Sequence, residues 1–207
     1  LIILKGRQLG TSTEVEGLFF ADAATRANVF TLIVAHVEDA TTNLFNMNKI
    51  FYDNLPPEIK PMLKASNAQE LVFENPTKDP VEKKRNPGLR SRIRCVTAGS
   101  RGVGRSFTLR NVHCSESAFW PNMTENMLGI LQAVPDDKDT CVVMESTANG
   151  YNEFKTFWDG AVSGENAFRP VFLAWYLDPD YRRPVPPGTE WTEAEEQMRA
   201  DYGLDDE

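Results

Sequence analysis

Leu1-Ile2-Ile3-Leu4-Lys5-Gly6-Arg7-Gln8-Leu9-Gly10-Thr11-Ser12-Thr13 opens the chain as an apolar strand running into a glycine-bounded, cationic, hydroxyl-rich turn. Val15, Leu18, Phe19 and Ala23 follow at helical spacing, so strand, turn and helix N-terminus stand in the order a bound phosphate chain requires. Backbone N–H groups and the helix dipole would both face an anion there. The turn departs from G-x-x-x-x-G-K-[ST] at one place: Gly10 is followed by Thr11, where lysine is usual. A phosphate chain needs a mobile cation, and Lys5 is the first candidate to supply it, with Arg7 the second. Ser12 falls where a hydroxyl would ligate Mg²⁺, with Thr13 beside it on the first helical turn. An ordinary strand-to-helix turn with solvated charges uses the same residue types, so the stretch needs support from further along the chain.

With 207 residues and 41% hydrophobic content, the chain is long enough for one sizeable core. A net charge of −8 excludes a uniformly basic nucleic-acid-binding surface, so any DNA contact must be local. Cys95, Cys114 and Cys141 are an odd set within apolar runs, with no C-x-x-C, and read as buried reduced thiols. No apolar run reaches membrane-spanning length and no signal-type stretch opens the chain, so the expected compartment is cytosolic. Leu1 is not a start methionine and already belongs to a core strand, which makes the chain read as a piece of something longer.

Thr31 to Ala35 reads as a buried strand, and Leu44, Met47, Ile50 and Phe51 as one face of a helix that ends before Pro56-Pro57. Glu70 to Glu74, Ile93 to Ala98 and Phe107 to Ser115 read as strands with little helix between them. Met127 to Leu131 reads as a helix, and Cys141 to Glu145 and Pro170 to Trp175 as strands. Near the end, Thr192 and Glu195 form a capping-box pattern that starts a last helix, stopping soon after Tyr202-Gly203. Strand–helix alternation at both ends implies an α/β fold: a mainly parallel central sheet with helices on both faces.

Such sheets bind ligands at the carboxyl ends of their strands. One strand ends in Ser115-Glu116-Ser117-Ala118-Phe119-Trp120, another in Glu145-Ser146-Thr147-Ala148-Asn149-Gly150. Hydrolysis of a phosphoanhydride needs a carboxylate that orients and deprotonates water, and Glu116 is the candidate base. Ser115 is either a metal-side hydroxyl or a strand-end group satisfying nearby backbone. His113 reads as a strand residue in the core or on its rim rather than as a base, since no partner pattern accompanies it. Lysines and arginines from Lys83 to Arg110 crowd one segment, and within it Arg101 and Arg105 sit on a glycine-flanked loop able to offer a guanidinium to a phosphate.

The set of motifs resembles the ATPase region of the large terminase subunit, the DNA-packaging motor of tailed bacteriophages. Lys5 to Thr13 resembles that family's deviant Walker A, Ser115 to Trp120 its Walker B end, and Ser146 to Gly150 its coupling motif. The resemblance implies a P-loop NTPase of ASCE/RecA-like type with a three-layer fold, and ATP and Mg²⁺ as cofactors. It makes Glu116 the catalytic base, Ser12 and Ser115 the metal-side hydroxyls, and Lys5, Gly6, Arg7, Gln8, Leu9, Gly10, Thr11, Ser12 and Thr13 the phosphate-binding loop. Ser146, Thr147 and Asn149 would sense the γ-phosphate, and Arg105, or else Arg101, would act as an arginine finger on a neighbouring subunit. Ser115 departs from the usual Walker B aspartate. The implied partners are double-stranded DNA, the portal protein, the small terminase subunit and further copies in a ring, in the host cytoplasm with no membrane. Residues 1–183 would form the ATPase core, without its adenine-contacting start, and residues 184–207 the linker and first helix toward a nuclease domain. The competing function is a nucleotide- or DNA-binding structural domain without turnover.

Overall fold

The computed structural model describes residues 1–67, 69–100 and 107–205. Strand β1 (Ile2–Lys5) leads through a five-residue loop into helix α1 (Thr11–Thr25), then β2 (Phe30–Ala35) and α2 (Glu38–Asp53). The middle holds β3 (Ala65–Ser66), β4 (Glu70–Glu74), α3 (Pro80–Arg85), β5 (Gly88–Thr97) and β6 (Asn111–Ser115). After α4 (Met123–Leu131) come β7 (Cys141–Ser146), α5 (Glu153–Ser163), β8 (Pro170–Leu173) and α6 (Glu193–Tyr202).

The strands form one sheet in the order β3-β4-β5-β2-β6-β7-β1-β8. Pairing is parallel from β5 across to β8, while β3, β4 and β5 pair antiparallel at one end. Both faces are covered, as a parallel sheet requires. Alternate residues along each strand serve opposite faces: Leu32, Val34, Val112, Cys114 and Met144 join α4 and α5, whereas Ile33, Ala35, Ile93 and Cys95 join α1 and α2. Ile3 and Val143 pack on Val15 and Phe19 of α1. Helices leaving β1 and β7 therefore lie on opposite faces although the two strands are neighbours, and the crevice beyond their carboxyl ends is a topological switch point.

Several expectations shift. The strand expected from Phe107 begins only at Asn111; Phe107 instead stacks on Phe30, ring centroids 4.6 Å apart. The strand expected from Ile93 reaches back to Gly88, and the strand expected through Trp175 ends at Leu173. Leu18 is 60% exposed, because the buried face of α1 runs through Val15, Glu16, Phe19, Phe20 and Ala23. On α2 Leu44 is buried but Ile50 is exposed. Helix α5 is an additional element, capped by the Asn152 side chain accepting from Lys155 N. The capping box of α6 forms as its sequence indicates, with Gly203 left-handed at its end. Cys95 and Cys114 are buried free thiols, and Cys141 is half-buried. No described helix is long and apolar enough to cross a membrane.

Candidate functional site

The loop between β1 and α1 is held close to the chain that follows β8. Gly6 donates its backbone N–H to Leu173 O at 2.9 Å, and a Cβ at Gly6 would stand 3.1 Å from the Trp175 Cα, so a side chain there would be crowded. The Tyr181 hydroxyl donates to the Arg7 carbonyl. Gln8 and Gly10 take positive φ, 56° and 72°, turning the chain into α1. No side chain caps α1, so no side-chain acceptor is spent on its first-turn N–H groups. Arg7, Gln8 and Thr13 are exposed, while Thr11 is buried with its hydroxyl unpartnered.

Register brings the other parts to the loop. Ser115 of β6 lies directly across from Glu145 of β7, and Leu4 of β1 across from Ser146, so Lys5 projects beside the ends of both. Lys5 is 8% exposed and its ammonium lies 3.2 Å from Glu116 Oε1 and 3.1 Å from Glu145 Oε2. Burial alone would lower the Lys5 pKa, but the two carboxylates outweigh it and hold the pKa above the usual lysine value. Ser12 and Ser115 each donate a hydroxyl to Glu145 Oε1 at 2.8 Å. Glu145 Oε2 meets Lys5 as an ion pair without hydrogen-bond geometry.

Glu116 follows β6 in the left-handed region, φ 49° and ψ 45°, a conformation costly for a residue with a Cβ. Its Oε1 accepts from Lys5, and its Oε2 accepts from Thr147 N and Oγ1 at 3.2 Å each and from Ser146 Oγ at 3.4 Å. Ser146 Oγ also accepts from Ala118 N. Asn149 donates its amide N–H to the Ala118 carbonyl at 3.0 Å and so braces the Glu116 turn. Trp120 closes the turn from below, donating its indole N–H to Ser115 O at 3.0 Å.

Behind these groups lies His113, a core residue of β6 as its place in an apolar run indicates, but with two carboxylate partners that the sequence around it does not signal. His113, fully buried, sets Nδ1 2.5 Å from Glu16 Oε1 and Nε2 3.5 Å from Glu145 Oε1. Burial alone would lower the His113 pKa; Glu145 and Glu16 raise it to about 9, so the ring is an imidazolium at neutral pH. Burial would raise the Glu145 pKa, but His113, Lys5 and Ser115 bring it down to about 2. Asn48 of α2 donates to Glu16 Oε2, completing a buried polar chain from α2 through α1, β6 and β7 to the loop. The one available signal was Glu16 itself, four residues beyond Ser12 on the same helical face.

The basic segment finds acids elsewhere in the chain. Lys83 pairs with Glu74 at 3.5 Å, Arg92 with Glu70 at 3.2 Å, and Arg110 with Asp22 and Asp139 at 3.4 and 3.3 Å. Arg101 and Arg105 lie outside the described residues. An apolar hollow of about 560 Å³ adjoins the loop on its other side, lined by Leu9, Leu18 and Leu173 among others.

A mainly parallel sheet in which one strand separates the loop-bearing β1 from β6, the strand that leads into Glu116, makes this an α/β fold shared with phage large terminases. Similar solved structures are phage large terminases. The HK97 bacteriophage large terminase superposes with a TM-score of 0.60 at 14% identity, over 98% of this chain and 39% of that one. The Thermus phage P74-26 large terminase ATPase domain gives a TM-score of 0.54 at 20% identity, over 76% of this chain and 62% of that domain. A mutant of the same domain gives 0.53 at 19% identity, over 76% and 63%. This chain thus spans about two fifths of the HK97 protein. No protein-family model matches it.

Proposed function

We propose that this chain is the ATP-hydrolysing domain of a terminase-type motor, which couples hydrolysis to movement of double-stranded DNA into a procapsid. The observation that carries the proposal is the convergence of Lys5, Ser12, Ser115 and Glu116 beside an uncapped helix N-terminus at the switch point. The Gly6–Thr13 loop and α1 supply backbone N–H groups for the phosphates, with Lys5 and then Arg7 as cations. Glu116 orients and deprotonates the attacking water. Ser146 and Thr147, already bonded to Glu116, are suited to report the γ-phosphate to it; Asn149 contributes by holding the turn.

The residues fit Mg²⁺. Hydroxyls and carboxylates are hard oxygen donors, and Mg²⁺ takes few protein ligands, filling its shell with water and substrate phosphates. No group of three or more acidic, histidine or cysteine side chains suited to a metal occurs among the described residues, so the cation would arrive with the nucleotide. Ser12 and Ser115 would hold it, and it would neutralise charge developing on the phosphates. The apolar hollow gives a nucleoside room beside the loop. Ring assembly on a portal protein, a small terminase subunit as partner, an arginine finger from Arg105 or Arg101, and action in the host cytoplasm complete the proposal.

The test is Glu116→Gln in the full-length protein with its packaging partners. Phosphate release should fall by roughly 10²–10⁴-fold, the usual scale for loss of a general base, while a fluorescent ATP analogue still binds. Near-normal turnover would remove Glu116 from the reaction. A wild-type protein that bound nucleotide without ever hydrolysing it would establish the structural-module alternative instead.

A further inference from the structure

Glu145 is 0% exposed, yet its carboxyl group holds three groups that the proposed site needs. Removing a carboxylate from water is expensive, and a well-packed apolar side chain at such a position is often as stable or more so. Its presence therefore calls for work that an apolar side chain cannot do. The geometry indicates the work. Ser12 arrives from the first turn of α1, Ser115 from the end of β6 and Lys5 from the end of β1, and all three converge on the one carboxylate at the end of β7. A hydroxyl has one proton; once that proton is committed to Glu145 Oε1, the oxygen presents only lone pairs on its other side. Both serines are thereby fixed as acceptors, the form in which a hydroxyl ligates a hard cation.

We propose that Glu145 is the positioning carboxylate of the site, doing from β7 what an aspartate at position 115 would do from β6: aligning Ser12 and Ser115 for the divalent cation of a metal–nucleotide complex. The proposal rests on the function proposed above. Ser115 and Glu145 are register partners on adjacent parallel strands, so moving the carboxylate one strand sideways keeps it within hydrogen-bond reach of the Ser12 hydroxyl. Lys5 bridges the two glutamates, and water activation stays with Glu116 in this scheme.

The experiment measures affinity of the full-length protein for a fluorescent, non-hydrolysable ATP analogue as Mg²⁺ is titrated, with free Mn²⁺ followed by electron paramagnetic resonance as a direct readout. For Glu145→Gln the cation concentration giving half-maximal binding should rise roughly ten- to hundred-fold, the range for loss of a group that orients metal ligands. Ser115→Asp added to Glu145→Gln should recover most of the loss, which a merely structural role for Glu145 would not allow. An unchanged Mg²⁺ requirement in Glu145→Gln, or no recovery in the double variant, would overturn the proposal. If Glu145→Gln fails to fold, Ser115→Ala decides: the proposal requires a raised Mg²⁺ demand, and an unchanged one overturns it. A wild-type protein showing no metal-dependent nucleotide binding would instead overturn the proposed function.

Discussion

Gly10 carries φ +72° with nothing within 4 Å of where a Cβ would stand. The constraint at this residue is thus backbone strain alone. Gly10→Ala should cost about 1–2 kcal/mol of stability by urea unfolding, and Gly10→Asn less, since asparagine visits the left-handed region more readily. An alanine variant as stable as wild type would show that the loop does not need this conformation. At Gly6 the constraint is steric, from Trp175, and the two glycines of one motif are therefore kept for different reasons. Residues of this kind are legible in sequence because the turn, its hydroxyls and its cation are contiguous. The place of Glu116 at the end of β6 was legible too, as an acid ending an apolar run. Glu145, equally an acid ending an apolar run, was not assigned, because its meaning depends on Ser12, 133 positions away, and on Ser115, 30 away.

Elements depend on packing that links distant stretches. Phe73 of β4 is fully buried, with its ring 6.2 Å from Phe20 of α1 and 5.8 Å from Tyr52 of α2. It joins the antiparallel end of the sheet to the helical layer. Phe73→Ala should destabilise by about 3–5 kcal/mol in denaturant titrations, the usual range for truncating a buried phenylalanine. A cost under about 1 kcal/mol would mean that β4 adds little to the core. The strands of the parallel region were readable as apolar runs, and α6 from its capping box. Phe107 was not, since an aromatic residue in a β-rich run fits a strand as well as the stacked contact it makes with Phe30. Helix α5 is readable in retrospect: Asn152 precedes Phe154, Phe157, Trp158 and Ala161 at spacings of three and four. On α1 periodicity alone placed Leu18 inward; the true inward face turns toward Glu16, whose partner His113 lies 97 residues further on.

For the whole molecule, the buried charges set a pH dependence. His113 keeps its proton in the folded state to about 9 against an ordinary 6.5, so its contribution is full below 6.5 and is lost as pH rises through 9. Glu145, at about 2 against an ordinary 4.5, contributes fully above 4.5 and loses its contribution as pH falls through 2. The network should stabilise most between those ordinary values, and the urea midpoint should fall as pH rises from 6.5 toward 9. Nitrogen NMR of the His113 ring at pH 8 should show an imidazolium. A neutral ring there, with a flat stability profile, would rule out the charged network. The strand order and the switch point could be expected only as a class from sequence, because pairing of β1 with β7 and β8 joins the two ends of the chain.

Glu16 has one more effect. An apolar helix face can slide or turn on an apolar sheet with small change in contact, but Glu16, fully buried, is clamped between His113 and Asn48. That clamp gives α1 a fixed address. Ser12 stands one turn earlier on the same face. The hydroxyl at the mouth of the site therefore inherits its position from an anchor in the interior, and a fault at Asn48, on a different helix, would be felt at Ser12 as a loss of aim.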